Sequence, residues 1–118
     1  MYDENNIFHK IIKKEIEAKV IFENNTAISF YDINPQALVH ALVIPKGKYV
    51  NILDFATAAA EEQQGLNEAI AETVKLLGLS DGGFRLISNC GINGGQEVAH
   101  LHFHILGGEN IGKMINRE

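Results

Sequence analysis

Cysteine occurs once in the 118 residues and proline only twice, and there is no long apolar run. A lone Cys90 cannot close an internal disulfide, which excludes a disulfide-stapled extracellular scaffold. With so little proline and no low-complexity tract or internal repeat, nothing marks a linker or a disordered segment, so residues 1–118 are expected to form a single domain. Positive charge is also scarce: ten Lys and Arg stand against fifteen Asp and Glu, for a formal charge of -5. That balance argues against broad contact with a nucleic-acid backbone or an anionic membrane, both of which need a clustered positive field. The one basic cluster, Lys10, Lys13 and Lys14, is small enough to be a solvated helix face. With no apolar signal segment at the N-terminus, the chain is expected to be soluble and cytoplasmic.

With 46% hydrophobic residues, a chain of this length can bury about two-thirds of the surface it exposes when unfolded. The stretch that commands attention is Ala99-His100-Leu101-His102-Phe103-His104-Ile105-Leu106, in which three of the five histidines alternate with large apolar residues. Alternation is the period of a β-strand, whereas a helix would spread the same histidines roughly 200° around its axis. An extended stretch would send Leu101, Phe103 and Ile105 to a core and His100, His102 and His104 to the opposite face.

Upstream, Ile7, Phe8, Ile11 and Ile12 recur at helical spacing, with Asn5 or Asn6 placed to cap, which predicts a short amphipathic helix through about Glu15. Val20–Glu23 and Ala27–Tyr31 flank Asn24-Asn25 as a hairpin. His40–Ile44 reads as a buried strand ended by Pro45-Lys46-Gly47, and parity places His40 on one face with Leu42 and Ile44. Asp54 is the expected N-cap of a long helix with the stripe Phe55, Ala59, Leu66, Ile70, Val74 and Leu77, closed by Gly78. Phe84–Ser88 is a fourth strand and the histidine stretch a fifth. This order predicts an α+β fold: a five-stranded antiparallel sheet with a short N-terminal helix and one long helix. The tail from Glu109 to Glu118 is expected at the surface or against a partner.

Imidazole is a nucleophile, a base and a metal ligand, and spacing alone does not choose among these. Two chemistries compete: a metal site built from His40, His100, His102 and His104, or covalent catalysis by one histidine assisted by the others. The glycines of Cys90-Gly91-Ile92-Asn93-Gly94-Gly95-Gln96 would let backbone N–H groups approach an anion, which weights the second toward phosphoryl transfer.

These residues resemble a known family. His100-Leu101-His102-Phe103-His104-Ile105-Leu106 fits the His-φ-His-φ-His-φ-φ pattern of the histidine triad (HIT) superfamily. Asn6–Ile12, Asp32-Ile33-Asn34-Pro35-Gln36-Ala37, Val43-Ile44-Pro45 and Gly94-Gly95-Gln96 are similar to its Hint branch of nucleotide-binding proteins. The resemblance implies a homodimer whose sheets join, no cofactor and no metal, and hydrolysis of purine nucleoside 5′-phosphoramidates to AMP or GMP plus amine. It assigns His102 as the nucleophile that becomes nucleotidylated, His100 and His40 as residues that orient it, and His104 to the phosphate oxygens. It further assigns Asn89 and the backbone around Gly95, Glu97 and Val98 to the phosphate and Asp32 to the ribose, and counts Ile33 among the nucleotide-binding residues. Ile7, Phe8, Ile11, Phe30 and Leu42 are assigned to the base, while His9, outside the pattern, is expected at the surface. The chain departs from the branch at Glu97, where many members carry Ser, at Ala99, where an aromatic is common, and along the C-terminal tail. Other HIT branches that cleave dinucleoside polyphosphates, a metal-binding module and a nucleotide-binding protein without turnover are the alternatives.

Overall fold

A computed structural model describes residues 1–115. In chain order the elements are α1 (Ile7–Ile12), β1 (Val20–Glu23), β2 (Ala27–Tyr31), β3 (Val39–Pro45), α2 (Ile52–Phe55), α3 (Ala60–Leu76), β4 (Phe84–Ile87) and β5 (Phe103–Gly107). The strands form one antiparallel sheet in the order β1-β2-β3-β5-β4, the expected α+β class.

Strand parity divides the core between the two faces of this sheet. Ala27, Ala41, Val43 and Ile105 point to one face and pack with Phe55, Leu66, Ala69 and Val74 of the helices and with Leu101. Ile28, Phe30, Leu42 and Ile44 point to the other, where Phe8 and Ile11 of α1 cover them. The register sets Leu42 opposite His104 and His40 opposite Leu106, so both imidazoles emerge on the α1 side. Among the described residues no helix is long and apolar enough to cross a membrane.

Four expectations are corrected. The helix predicted through Glu15 stops at Ile12, because Lys14 takes a positive φ of 62° and the chain turns there; its cap is Asn6, whose side chain accepts from the His9 N–H. The single long helix is two. Asn51 and Asp54 cap α2 reciprocally, Asp54 accepting from the Val50 N–H and Asn51 from the Asp54 N–H, so Asp54 sits inside a short helix rather than at the head of the long one. The chain then breaks at Ala56–Ala59, where Gln63 donates to the Ala56 and Ala58 carbonyls, before α3 runs to Leu76 and closes at Gly78 with φ 70°.

The fifth strand begins at Phe103, not at Ala99. Continuing the register would pair Leu101 with Pro45, which has no N–H to offer and whose carbonyl is taken by the His100 ring. Leu101 donates instead to the Tyr49 carbonyl. Leu101, Phe103 and Ile105 still meet the core, but the three histidines do not line one strand face. Finally, His9 is buried rather than exposed, edge-on to Tyr2 at 5.7 Å, because the N-terminal residues fold back over α1. The tail is tied to β4 by Arg85, which donates to the Gly112 and Lys113 carbonyls; its last three residues lie outside the described ones.

Candidate active site

A cavity of about 550 Å³ opens on the α1 side of the sheet. His102 and His104 line it, as does each of the expected nucleotide-contacting residues: Ile7, Phe8, Ile11, Phe30, Asp32, Ile33, Leu42, Asn89, Gly95, Glu97 and Val98. Phe8, Ile11, Phe30 and Leu42 are also buried core, so the end of the cavity they form is rigid as well as apolar. Ile33 is the contrast, largely exposed at the rim. His40 and His100 stand behind this lining.

The hydrogen-bond partners of the four rings fix which nitrogen carries each proton. The Gln36 N–H lies 3.1 Å from His40 Nδ1 and can only donate, so Nδ1 holds a lone pair and Nε2 holds the proton. His40 Nε2–H donates to His104 Nδ1 at 2.9 Å, with Asp32 Oδ2 at 3.4 Å as a weaker second acceptor. His104 Nδ1 is therefore an acceptor, and its proton sits on Nε2. A backbone amide of the Asn34-Pro35-Gln36 turn thus makes a neutral His104 a hydrogen-bond donor.

His102 is set the opposite way. Its Nδ1 is 2.7 Å from the His100 carbonyl, which only accepts, so Nδ1 is protonated and Nε2 carries the free lone pair. The ring stands edge-to-face on Phe8 at 4.9 Å and on His104 at 5.1 Å. His100 faces away from the cavity: Nε2–H donates to the Pro45 carbonyl at 2.8 Å, and Nδ1 accepts from the Tyr2 hydroxyl at 2.5 Å. Neighbouring histidines of the triad thus present a lone pair at His102 and an N–H at His104.

Burial keeps these rings neutral. It pushes His100 and His104 down to about 4, and the neighbouring His102 and His40 add to the effect at His104. His102 is also lowered by burial, against the opposing pull of its hydrogen bond to the His100 carbonyl and the carboxylates of Asp32 and Glu97. At neutral pH the lone pair on His102 is consequently free of a proton without any base to remove one.

The loop before the triad is braced from inside. Gln96 donates to the Val50 and Val98 carbonyls and accepts from the Gly91 N–H, while Asn89 donates to the Gly94 carbonyl. A Cβ at Gly94 would fall 2.4 Å from the Cys90 carbonyl, so only glycine lets the loop fold this tightly. Asp32 serves two ends, one oxygen accepting from the Asn34 N–H and the other facing His40.

The metal alternative is not assembled, since both ring nitrogens of His100 are engaged by Tyr2 and Pro45. Among the described residues Asp32, His40 and His104 do bring ligand atoms within 4.8 Å of one another. Yet the Gln36 N–H holds the lone pair of neutral His40 at Nδ1, leaving a proton on the Nε2 that would have to ligate; a ligating imidazole needs the reverse. The donor set does not fit a metal ion. Tyr2 and the bracing role of Gln96 escaped sequence reasoning. Gln96 stood next to a recognisable glycine pair, but no local pattern signals a contact between residues 2 and 100.

A model of the HIT domain matches residues 13–111. The chain belongs to the HIT family. It is 46% identical over 117 residues to an uncharacterised 13.2 kDa HIT-like protein of Azospirillum brasilense, covering 98% of this chain and 96% of that one. It is 38% identical over 115 residues to the purine nucleoside phosphoramidase of Escherichia coli K12, covering 95% and 94%. A HIT family hydrolase from Clostridium thermocellum superposes with a TM-score of 0.88 at 39% identity, over 97% of this chain and 99% of that chain. The HIT relatives named for an activity here are hydrolases, and in this chain the fold brings His102 and His104 to the cavity with His100 behind them.

Proposed function

We propose that the protein hydrolyses purine nucleoside 5′-phosphoramidates, adenosine phosphoramidate among them, through a nucleotidyl-histidine at His102. The observation that carries this reading is the opposed tautomers of His102 and His104 on one cavity wall. The His102 Nε2 lone pair attacks the α-phosphorus, and the His104 Nε2–H donates to a phosphoryl oxygen whose charge grows in the transition state. The leaving nitrogen takes a proton from solvent water, the P–N bond breaks with its electron pair going to that nitrogen, and the amine departs neutral. The imidazolium left on His102 keeps its Nδ1–H on the His100 carbonyl. Water then attacks phosphorus and releases the nucleoside monophosphate, returning His102 to its starting state.

The apolar end formed by Phe8, Ile11, Phe30 and Leu42 suits a purine, Asp32 a ribose diol, and Asn89 with the backbone N–H groups around Gly95, Glu97 and Val98 the phosphate. A homodimer is part of this reading: β4 lies at the sheet edge, and Phe84 and Leu86 on it are each 42% exposed, an apolar edge suited to meeting a second copy.

The test is AMP release from adenosine 5′-phosphoramidate by the wild type and by His102→Ala, with and without chelator, and with AMP binding recorded for both. Turnover that survives chelation and vanishes in a mutant still binding AMP is the expected result. AMP binding without turnover by the wild type would replace hydrolysis with a binding role, and loss of turnover on chelation would return the metal alternative.

A further inference from the structure

The walls of the cavity carry charge of one sign. Among the described residues no Lys or Arg lines it, its two imidazoles are held neutral, and Glu17, Asp32 and Glu97 contribute three carboxylates. An anionic phosphoryl group in such a site is held by N–H donors alone, and every further charge on the substrate is weighed against those carboxylates. Their positions divide the work. Asp32 is engaged with the Asn34 N–H and His40. Glu17 flanks the apolar end beside Ile16 and Ala18. Glu97 is exposed, follows the glycine loop and lies close enough to His102 to act on its charge; among the described residues no cation or N–H donor pairs with it.

We infer that Glu97 makes the protein selective for phosphoramidates whose amine portion carries a positive charge. This rests on the phosphoramidate reading and specifies its leaving group. The nucleoside occupies the apolar end, so the amine on the far side of phosphorus projects toward the glycine-loop end, where Glu97 stands. In the step itself the nitrogen takes a proton from solvent, carries positive charge while the P–N bond breaks, receives the P–N electron pair and departs as the neutral amine. A carboxylate at that end attracts both a cationic substituent in the bound substrate and the protonated nitrogen as the P–N bond breaks. It repels a carboxylate-bearing amine.

Three adenosine 5′-phosphoramidates of matched length separate the charge effect from size: N-(5-aminopentyl), N-hexyl and N-(5-carboxypentyl). Turnover is measured with the wild type and Glu97→Gln. Binding of the same intact compounds is measured by calorimetry in His102→Ala with and without Glu97→Gln. The wild type is expected to favour the aminopentyl over the hexyl compound about 5- to 10-fold at low salt, the size of one partly screened charge pair. Glu97→Gln should bring that ratio close to one, raise the affinity for the carboxypentyl compound and remove the salt dependence of the ratio. A binding ratio that is the same with and without Glu97→Gln overturns the inference while leaving hydrolysis standing. Binding with the expected charge preference but no AMP release by the wild type sinks the hydrolase reading and keeps the preference; failure to bind any of the three sinks both.

Discussion

Replacing His100 by glutamine should remove one of the buried histidines that make the fold sensitive to acid, His104 being another. The His100 ring is fully buried, and burial holds it at about 4, where an unfolded histidine has 6.5. At pH 7.5 the imidazole is neutral in both states, so it adds no pH dependence there. As the pH falls below 6.5 the unfolded chain takes up a proton that the folded ring refuses, and stability is lost steadily until the folded ring protonates near 4. Between pH 7.5 and 4.5 linkage puts that loss at about 2.5 kcal/mol from this one residue, against a total stability of roughly 5–15 kcal/mol for a domain of this size. Glutamine offers an amide N–H for the Pro45 carbonyl and an oxygen for the Tyr2 hydroxyl, but does not titrate. Urea unfolding of both proteins at the two pH values gives the difference directly. Glu4 and Glu23, lowered by Lys48 and Lys46, also weaken the fold in acid, but equally in both proteins, so they cancel. Losses that agree within about 0.5 kcal/mol would refute the claim that buried, neutral His100 is an acid-labile point of the fold.

Because burial lowers His102, the acid-side midpoint of kcat/KM for a phosphoramidate should lie below 6.5; a midpoint at or above 6.5 would show a nucleophile of ordinary basicity. Asp32→Asn should weaken AMP about 10- to 100-fold, the worth of charge-assisted hydrogen bonds, while leaving 2′,3′-dideoxy-AMP unchanged; equal losses for both nucleotides would detach Asp32 from the ribose. Gly65 lies in α3 where Asn24 of the β1–β2 turn donates to its carbonyl, and a Cβ there would fall 1.8 Å from Thr26 Oγ1. Gly65→Ala should therefore cost about 1–3 kcal/mol despite the better helix propensity of alanine, and Thr26→Ala in the same chain should recover most of it. Simple additivity of the two changes in urea midpoints would show that the close approach does not matter.

The hairpin at Asn24-Asn25, the shared face of His40, Leu42 and Ile44, and the core-facing Leu101, Phe103 and Ile105 were legible in the sequence, because each rests on a period of two or on a turn residue, and these act between near neighbours. The triad and its glycine loop were legible for a similar reason: the pattern is contiguous. What contiguity does not carry was decided by tertiary structure. The break between α2 and α3 depends on Gln63 reaching back to the Ala56 and Ala58 carbonyls. The start of β5 depends on a proline in the neighbouring strand, and the burial of His9 on the N-terminal residues folding back over α1. Above all, sequence names the histidines but not their protons. Those are set by single partners brought in from elsewhere, the Gln36 amide for His40 and through it His104, and the Pro45 carbonyl and Tyr2 hydroxyl for His100. An imidazole is donor or acceptor at a given nitrogen only in relation to the group facing it, and that pairing exists only once the chain has folded.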